Sequence, residues 1–291
     1  MSNDFDFGLA GYTPEDEGTE YTYASAYWLS TTRRPAADVG AWHTASFETM
    51  PEPWVKVERF DNESGHEAND IHMVPIRRRE FWVMNCTDDT SRYIPHYLDA
   101  ISGKTFLSQR GFDPNLYRSV RSTVQVLAMV KGLDEPIVLQ AKGMVGSHLF
   151  RRPTRRSPGG IVYQYVNAAL GIAKATSTSA IPHYSFWVGI KAPRDAKGRI
   201  KTTEVGAGSG KAYVVMPELM DKLDGMTRAD IVKTFVGRDK QELFQAVYEE
   251  SKAWADEVRD DFATMPAVTT SPAPAVRNVV ETLVEDEASP F

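Results

Sequence analysis

The chain has 291 residues, 42% hydrophobic and 25% charged, as expected of a globular protein with a sizeable core. No apolar run approaches the roughly 18 residues that a membrane span needs, and the acidic first twenty residues do not resemble a secretory signal. Cys86 is the only cysteine, which excludes an intrachain disulfide and a Cys-cluster zinc site and makes a reducing, cytoplasmic location the expectation.

The net charge of -6 hides a strong segregation. Residues 1–20 hold six acids and no base, while residues 140–211 hold twelve bases against two acids, Asp195 and Glu204. Residues 212–291 hold sixteen acids and eight bases. A basic middle between acidic ends points to a polyanionic partner, although the overall pI of about 5.6 argues the other way.

In chain order, residues 1–20 read as a flexible acidic leader. Residues 22–30 have strand composition, with Tyr21, Tyr23 and Tyr27 on one face and Trp28 on the other. Residues 31–53 read as a long loop, 54–60 as a strand, and 61–70 (DNESGHEAND) as a polar turn. Strands at 71–76 and 81–86 flank the run Arg77-Arg78-Arg79, and a weaker pair follows at 92–97 and 104–109. The clearest β signal is a hairpin, 122–131 and 136–144, split by Gly132-Leu133-Asp134-Glu135.

A basic loop at 151–156 is kept out of a helix by Pro153 and Pro158. Residues 160–175 carry helical spacing, with Ile161, Tyr165, Ala168, Ala169 and Ile172 in one stripe. Strand composition returns at 183–191, 201–206 and 212–216, the last two around a glycine loop. Short helices are expected at 217–223, after Pro217, and at 227–234, then a long one at 239–262 with Leu243, Val247, Trp254, Val258 and Phe262 on one face. Residues 265–291 read as a linker and an acidic tip.

Many strands, one inserted helix, more strands and then helices predict an α+β, mainly β fold. An OB-fold-like Greek-key barrel with large insertions fits that order, with residues 21–216 as the barrel domain and 217–264 as a helical extension.

Cations that follow phosphates and aromatic faces that stack on bases hold a single strand, at about 1–3 kcal/mol per stacked base. Both occur at 183–201. Alternation puts Tyr184, Phe186, Val188 and Ile190 on a core face, and His183, Trp187 and Lys191 on a wet one; Arg194, Lys197, Arg199 and Lys201 follow. A Trp packed under a loop beside a solvated hairpin is the competing reading. Arg151, Arg152, Arg155 and Arg156 form a second candidate clamp, with Lys142 upstream. Arg77, Arg78 and Arg79 beside Trp82 form a third, with burial of Trp82 as the alternative.

Other motifs fail. The glycine run at 206–211 lacks the first glycine and the final Ser or Thr of a phosphate loop, with Val205 and Ala212 in those places. His66-Glu67 lacks the second histidine of a zinc-protease helix, Asp70 standing there. Asp88-Asp89 reads as an exposed turn. No nucleophile with a base is evident, and no cofactor or metal is expected.

The last fourteen residues, NVVETLVEDEASPF, carry Glu281, Glu285, Asp286 and Glu287 and end on Pro290-Phe291. This stretch resembles the acidic C-terminal tip of bacterial and phage single-stranded DNA-binding proteins. The resemblance covers those residues alone. It implies an OB barrel with a helix between its third and fourth strands, a place comparable to that of 160–175. It also implies a tip that recruits replication, recombination or repair proteins through Glu285, Asp286, Glu287, Pro290 and Phe291 and competes with DNA for the basic groove. Single-stranded DNA (or RNA) is then the expected partner, with a homo-oligomer possible. A strand-annealing or recombination mediator is the alternative. A nucleic-acid enzyme and a structural phage protein stand further back.

Overall fold

The computed structural model of the chain describes residues 23–32, 39–58, 64–87, 93–99, 117–175, 180–205 and 212–257. The fold is α+β and mostly β. The N-terminal strands are β1 (Ser25–Trp28), β2 (Thr31–Thr32), β3 (Trp42–Thr44), β4 (Val55–Glu58) and β5 (Ser64–Ala68). The centre is built from β6 (Asp70–Thr87), β7 (Tyr93–Asp99), β8 (Tyr117–Val130) and β9 (Ile137–Lys142), then helices α1 (Gly143–Phe150) and α2 (Ile161–Lys174). Short strands β10 (Val188–Lys191), β11 (Thr203–Val205), β12 (Ala212–Val214) and β13 (Glu218–Leu219) precede helices α3 (Arg228–Thr234), α4 (Arg238–Glu250) and α5 (Lys252–Asp256).

The main sheet runs β13-β10-β6-β8-β9-β1-β3-β5-β4, with β7 paired to the far half of β6, and β11-β12-β2 form a smaller sheet. Strands β5 and β6 are one run of chain, interrupted only at Asn69. Yet along the sheet they stand five strand spacings apart, about 24 Å if flat. Ala68 and Asp70 can be no more than about 7.6 Å apart, because two peptide units separate them. The sheet therefore has to roll up between β6 and β5. The result is a curled half-barrel in which the neighbouring strands β1 and β9 run parallel.

Its inner face is apolar. Trp28, Trp42, Trp54, Ile71, Met73, Val124, Val126 and Leu139 fill it, and α1 and α2 close it with Leu149, Phe150, Val162 and Tyr165. Part of the outer face is covered as well. Val74, Ile76, Leu127, Met129 and Val138 pack there against Tyr184, Trp187, Phe244, Val247 and Trp254. Strand β8 shows the pattern plainly, with Val124 and Val126 inward and Leu127 and Met129 outward. Apolar residues at consecutive positions are what a strand covered on both faces requires.

Several expectations hold. The 122–144 hairpin is β8–β9, paired from Thr123↔Lys142 to Ala128↔Ile137. The helix expected at 160–175 is α2, with Val162, Tyr165, Val166 and Ala169 buried. Thr227 caps α3 in a capping box with Asp230.

Others need correction. The loop read over 31–53 contains β3, whose three residues are all buried, and the polar turn read over 61–70 contains β5. Both are too short to show a period of two. The strands read at 71–76 and 81–86 are one, with the Arg77-Arg78-Arg79 run in the middle of the 18-residue β6. The region 217–223 is not a helix, since Glu218–Leu219 pairs with β10. The helix read over 239–262 breaks at Ser251 into α4 and α5; of its expected stripe Val247 and Trp254 are buried, with Phe244 in place of the 48% exposed Leu243, and Val258 and Phe262 lie outside the described residues. Helix α1 was not expected, and the strand at 104–109 lies outside the described residues. Consecutive strands are not always neighbours in the sheet: β5 lies between β3 and β4, and β10 pairs with β6 rather than with β9. No helix among the described residues is long and apolar enough to cross a membrane.

Candidate nucleic-acid interface

The connection between α1 and α2 is a closed turn. Proline at 153, two residues past the cap of α1, prevents continuation of the helix. The Gly160 amide donates to the Arg151 carbonyl at 2.9 Å and shuts the base of the loop. At the tip, the Thr154 amide donates to the Ser157 carbonyl, and Thr154 Oγ1 accepts from the amides of Arg156 and Ser157. Gly160 has no room for a side chain, since a Cβ there would sit 2.5 Å from the Leu149 carbonyl.

Arg151, Arg152, Arg155 and Arg156 are all exposed on this turn, and among the described residues no carboxylate pairs with any of them. Tyr163, on the first turns of α2, is half-buried; burial pushes its phenol up, and the nearby Arg78 and Arg152 oppose that shift.

The second basic stretch is a tight hairpin after β10. Asp195 organises it, accepting from the amides of Lys197 and Arg199 and from the Arg199 guanidinium at 2.8 Å. The Arg199 hydrogen bonds hold the Asp195 carboxyl below its usual range. Arg194 donates to the Gly198 carbonyl and, at 3.4 Å, to Asn69 Oδ1. Lys197 and Lys201 project into solvent, and Lys191 lies 3.5 Å from Glu218.

The two basic turns do not merge. Arg194 reaches Asn69 at the start of β6, while Arg78, nine residues on, donates to the Phe150 carbonyl beside the arginine turn. Nine extended residues span roughly 30 Å.

Other candidates are absorbed by the fold. Trp187 is not on a wet face: it is 8% exposed, edge-on to Phe244 at 5.9 Å, with Lys240 over its ring. Residues 183–185 form a 3-10 turn, so the alternation starts only at β10, whose first three residues are buried. His183 is half-buried and donates from Nε2 to the Ile76 carbonyl at 3.1 Å.

The three consecutive arginines are structural. The register of β6 on β8 slips between Pro75 and Arg77, inserting Ile76 as a bulge. Beyond it Arg77 and Arg79 face outward. Arg77 lies over the Tyr248 ring at 3.8 Å and donates to its carbonyl, and Arg79 lies over Trp254 at 4.3 Å. Arg78 faces inward and pairs with Glu80. Trp82 is half-buried opposite Ser122, and Lys142 is half-buried opposite Thr123.

One arrangement was not anticipated. Arg79, Gln125, Gln140, Tyr27, His43 and Glu67 occupy matching register positions on β6, β8, β9, β1, β3 and β5. Arg79 Nε donates to Gln125 Oε1 at 2.7 Å, Gln125 Nε2 to Gln140 Oε1 at 2.8 Å, and His43 Nδ1 lies 3.0 Å from Glu67 Oε1. Gln125 and Gln140 inside apolar strands were the available signal. The hydrogen bonds within this row brace the outer face of the curl.

His66-Glu67 sits on a strand, not on a metal-binding helix. Among the described residues no cluster of three or more His, Cys, Asp or Glu is placed to hold a metal. The glycine run at 206–211, Asp88, Asp89 and the tip residues Glu285, Asp286, Glu287, Pro290 and Phe291 lie outside the described residues. Compared with known proteins, the chain matches no family model, no curated protein and no solved structure.

Proposed function

We propose that this chain is a non-catalytic single-stranded DNA-binding protein built on an OB-like barrel. The observation that carries the reading is the arginine turn: four exposed guanidiniums within six residues, unpaired by any described carboxylate, on a turn whose backbone is closed by its own hydrogen bonds. A chain of net charge -6 has acids to spare, yet none of those described lies against this turn. Such a turn fits a phosphate backbone, because the guanidinium fork matches phosphate oxygens and little ordering is left for binding.

The curl of the sheet and the helix that follows β9 support the OB-like reading, and the hairpin carrying Lys197 and Lys201 offers a second phosphate contact. In this reading the acidic stretch ending in Pro290-Phe291 recruits replication, recombination or repair proteins and competes for the basic surface.

The test is a salt titration of binding to fluorescent oligo-dT, with duplex DNA as control, for the full chain and for a chain ending at Ala275. The reading expects single-strand binding that weakens with salt and strengthens on truncation. No binding by either form at low salt would overturn it.

A further inference from the structure

The main sheet ends on β4 at one side and on the two-residue β13 at the other. Residues 55–58 bond through their backbone to β5 and to nothing else among the described residues, so the outer edge of β4 is open there. Val55 is 64% exposed, and Lys56 and Glu58 are exposed as well. An open edge is a template for another strand.

We infer that β4 is a homodimer interface, pairing antiparallel with β4 of a second copy and extending the sheet across both chains. The sequence Val55-Lys56-Val57-Glu58 selects the partner. Residues directly opposite in an antiparallel pair point to the same face, and a twofold axis normal to the sheet keeps every residue on its own face. Only registers centred on a single residue are then allowed. Centring on Lys56 or on Glu58 sets identical charges against each other. Centring on Val55 runs the strand into Pro53, which has no N–H to donate. Centring on Val57 sets Lys56 opposite Glu58 of the second copy and Glu58 opposite its Lys56, with the two Val57 side chains together. The strand is complementary to itself in one register only, and each opposite-charge pair there is favourable where like charges would repel.

The inference does not depend on DNA binding. Its test is sedimentation equilibrium of the full chain, without DNA, over a range of concentrations. A monomer–dimer equilibrium is expected. Lys56→Glu and Glu58→Lys should each raise the dimer Kd at least about tenfold, since each creates two like-charge pairs. The double variant K56E/E58K restores both pairs with exchanged signs and should return to within about threefold of the starting Kd. A monomer at every concentration, or a dimer indifferent to both single changes, would overturn the inference. So would a double variant as weak as the singles.

Discussion

The Arg79 guanidinium lies over the Trp254 ring, 4.3 Å from its centroid, and donates from Nη1 to the Trp254 carbonyl at 3.1 Å. One side chain of a central strand thus grips α5 by its ring and its backbone together. Arg77 repeats the device one step back, on Tyr248 of α4. The C-terminal helices are bolted to the outer face of the sheet by two arginines whose sequence reads as a surface charge run.

Arg79→Ala should therefore destabilise the fold by about 1–3 kcal/mol, because it removes a desolvated cation–π interaction and charged hydrogen bonds together. Trp254→Ala should cost about 3–5 kcal/mol. Arg79→Lys should recover little, since an ammonium cannot stack as a plane and hold two carbonyls at once. Urea denaturation midpoints measure all three. An Arg79→Ala protein as stable as the parent would show that the guanidinium contributes nothing there.

Trp187 supplies an opposite pair of readouts. Its burial against Phe244 predicts that Trp187→Ala costs about 3–5 kcal/mol of stability. Oligo-dT affinity, measured well below the unfolding transition, should stay within about twofold, since a buried indole offers no face to a base. Weaker DNA binding at full folding would place this indole on the ligand after all.

The arginine turn makes a prediction in salt. Replacing Arg151, Arg152, Arg155 and Arg156 by alanine should make the slope of log K against log salt shallower by about 3, at roughly 0.7 for each phosphate of a single strand that is no longer neutralised. Since all four side chains are exposed and unpaired by any described carboxylate, the melting temperature should hardly move. A slope change below about 1 would remove the turn from the interface.

His183 predicts the acid limb of stability. Burial, then the nearby Arg77, pull its pKa below the ordinary value of 6.5, while the hydrogen bond to Ile76 opposes them. A histidine lowered in the folded state stabilises fully above the unfolded pKa and loses that contribution as pH falls through the folded value. His72, lowered mainly by burial, acts in the same direction. The urea midpoint should fall between about pH 7 and pH 5, the range in which an imidazole takes up its proton, and His183→Gln should make the fall smaller. Parallel curves for the two proteins would rule His183 out as a cause.

Much of the fold was legible because it is local. The β8–β9 hairpin announces itself through two apolar runs around Gly132, and α3 through Thr227 and Asp230 at capping-box spacing. The arginine turn was legible too, since Pro153 and Pro158 act on the backbone beside them. The dense positive charge of 140–211 and the acidity of both ends are properties of composition, and no tertiary packing alters them.

What tertiary structure alone decided is which charges and rings face solvent. Arg77, Arg78 and Arg79 are adjacent in sequence, but a bulge at Ile76 and helices more than 150 residues later commit Arg77 and Arg79 to partners outside the sheet while Arg78 turns inward. Trp187 alternates correctly for a wet strand, yet α4 covers the face it points to. Alternation states that two faces exist; it cannot state that both are covered. That follows from a sheet rolling up until β5 and β6 meet at Asn69, with helices arriving from much later in the chain to close the outside.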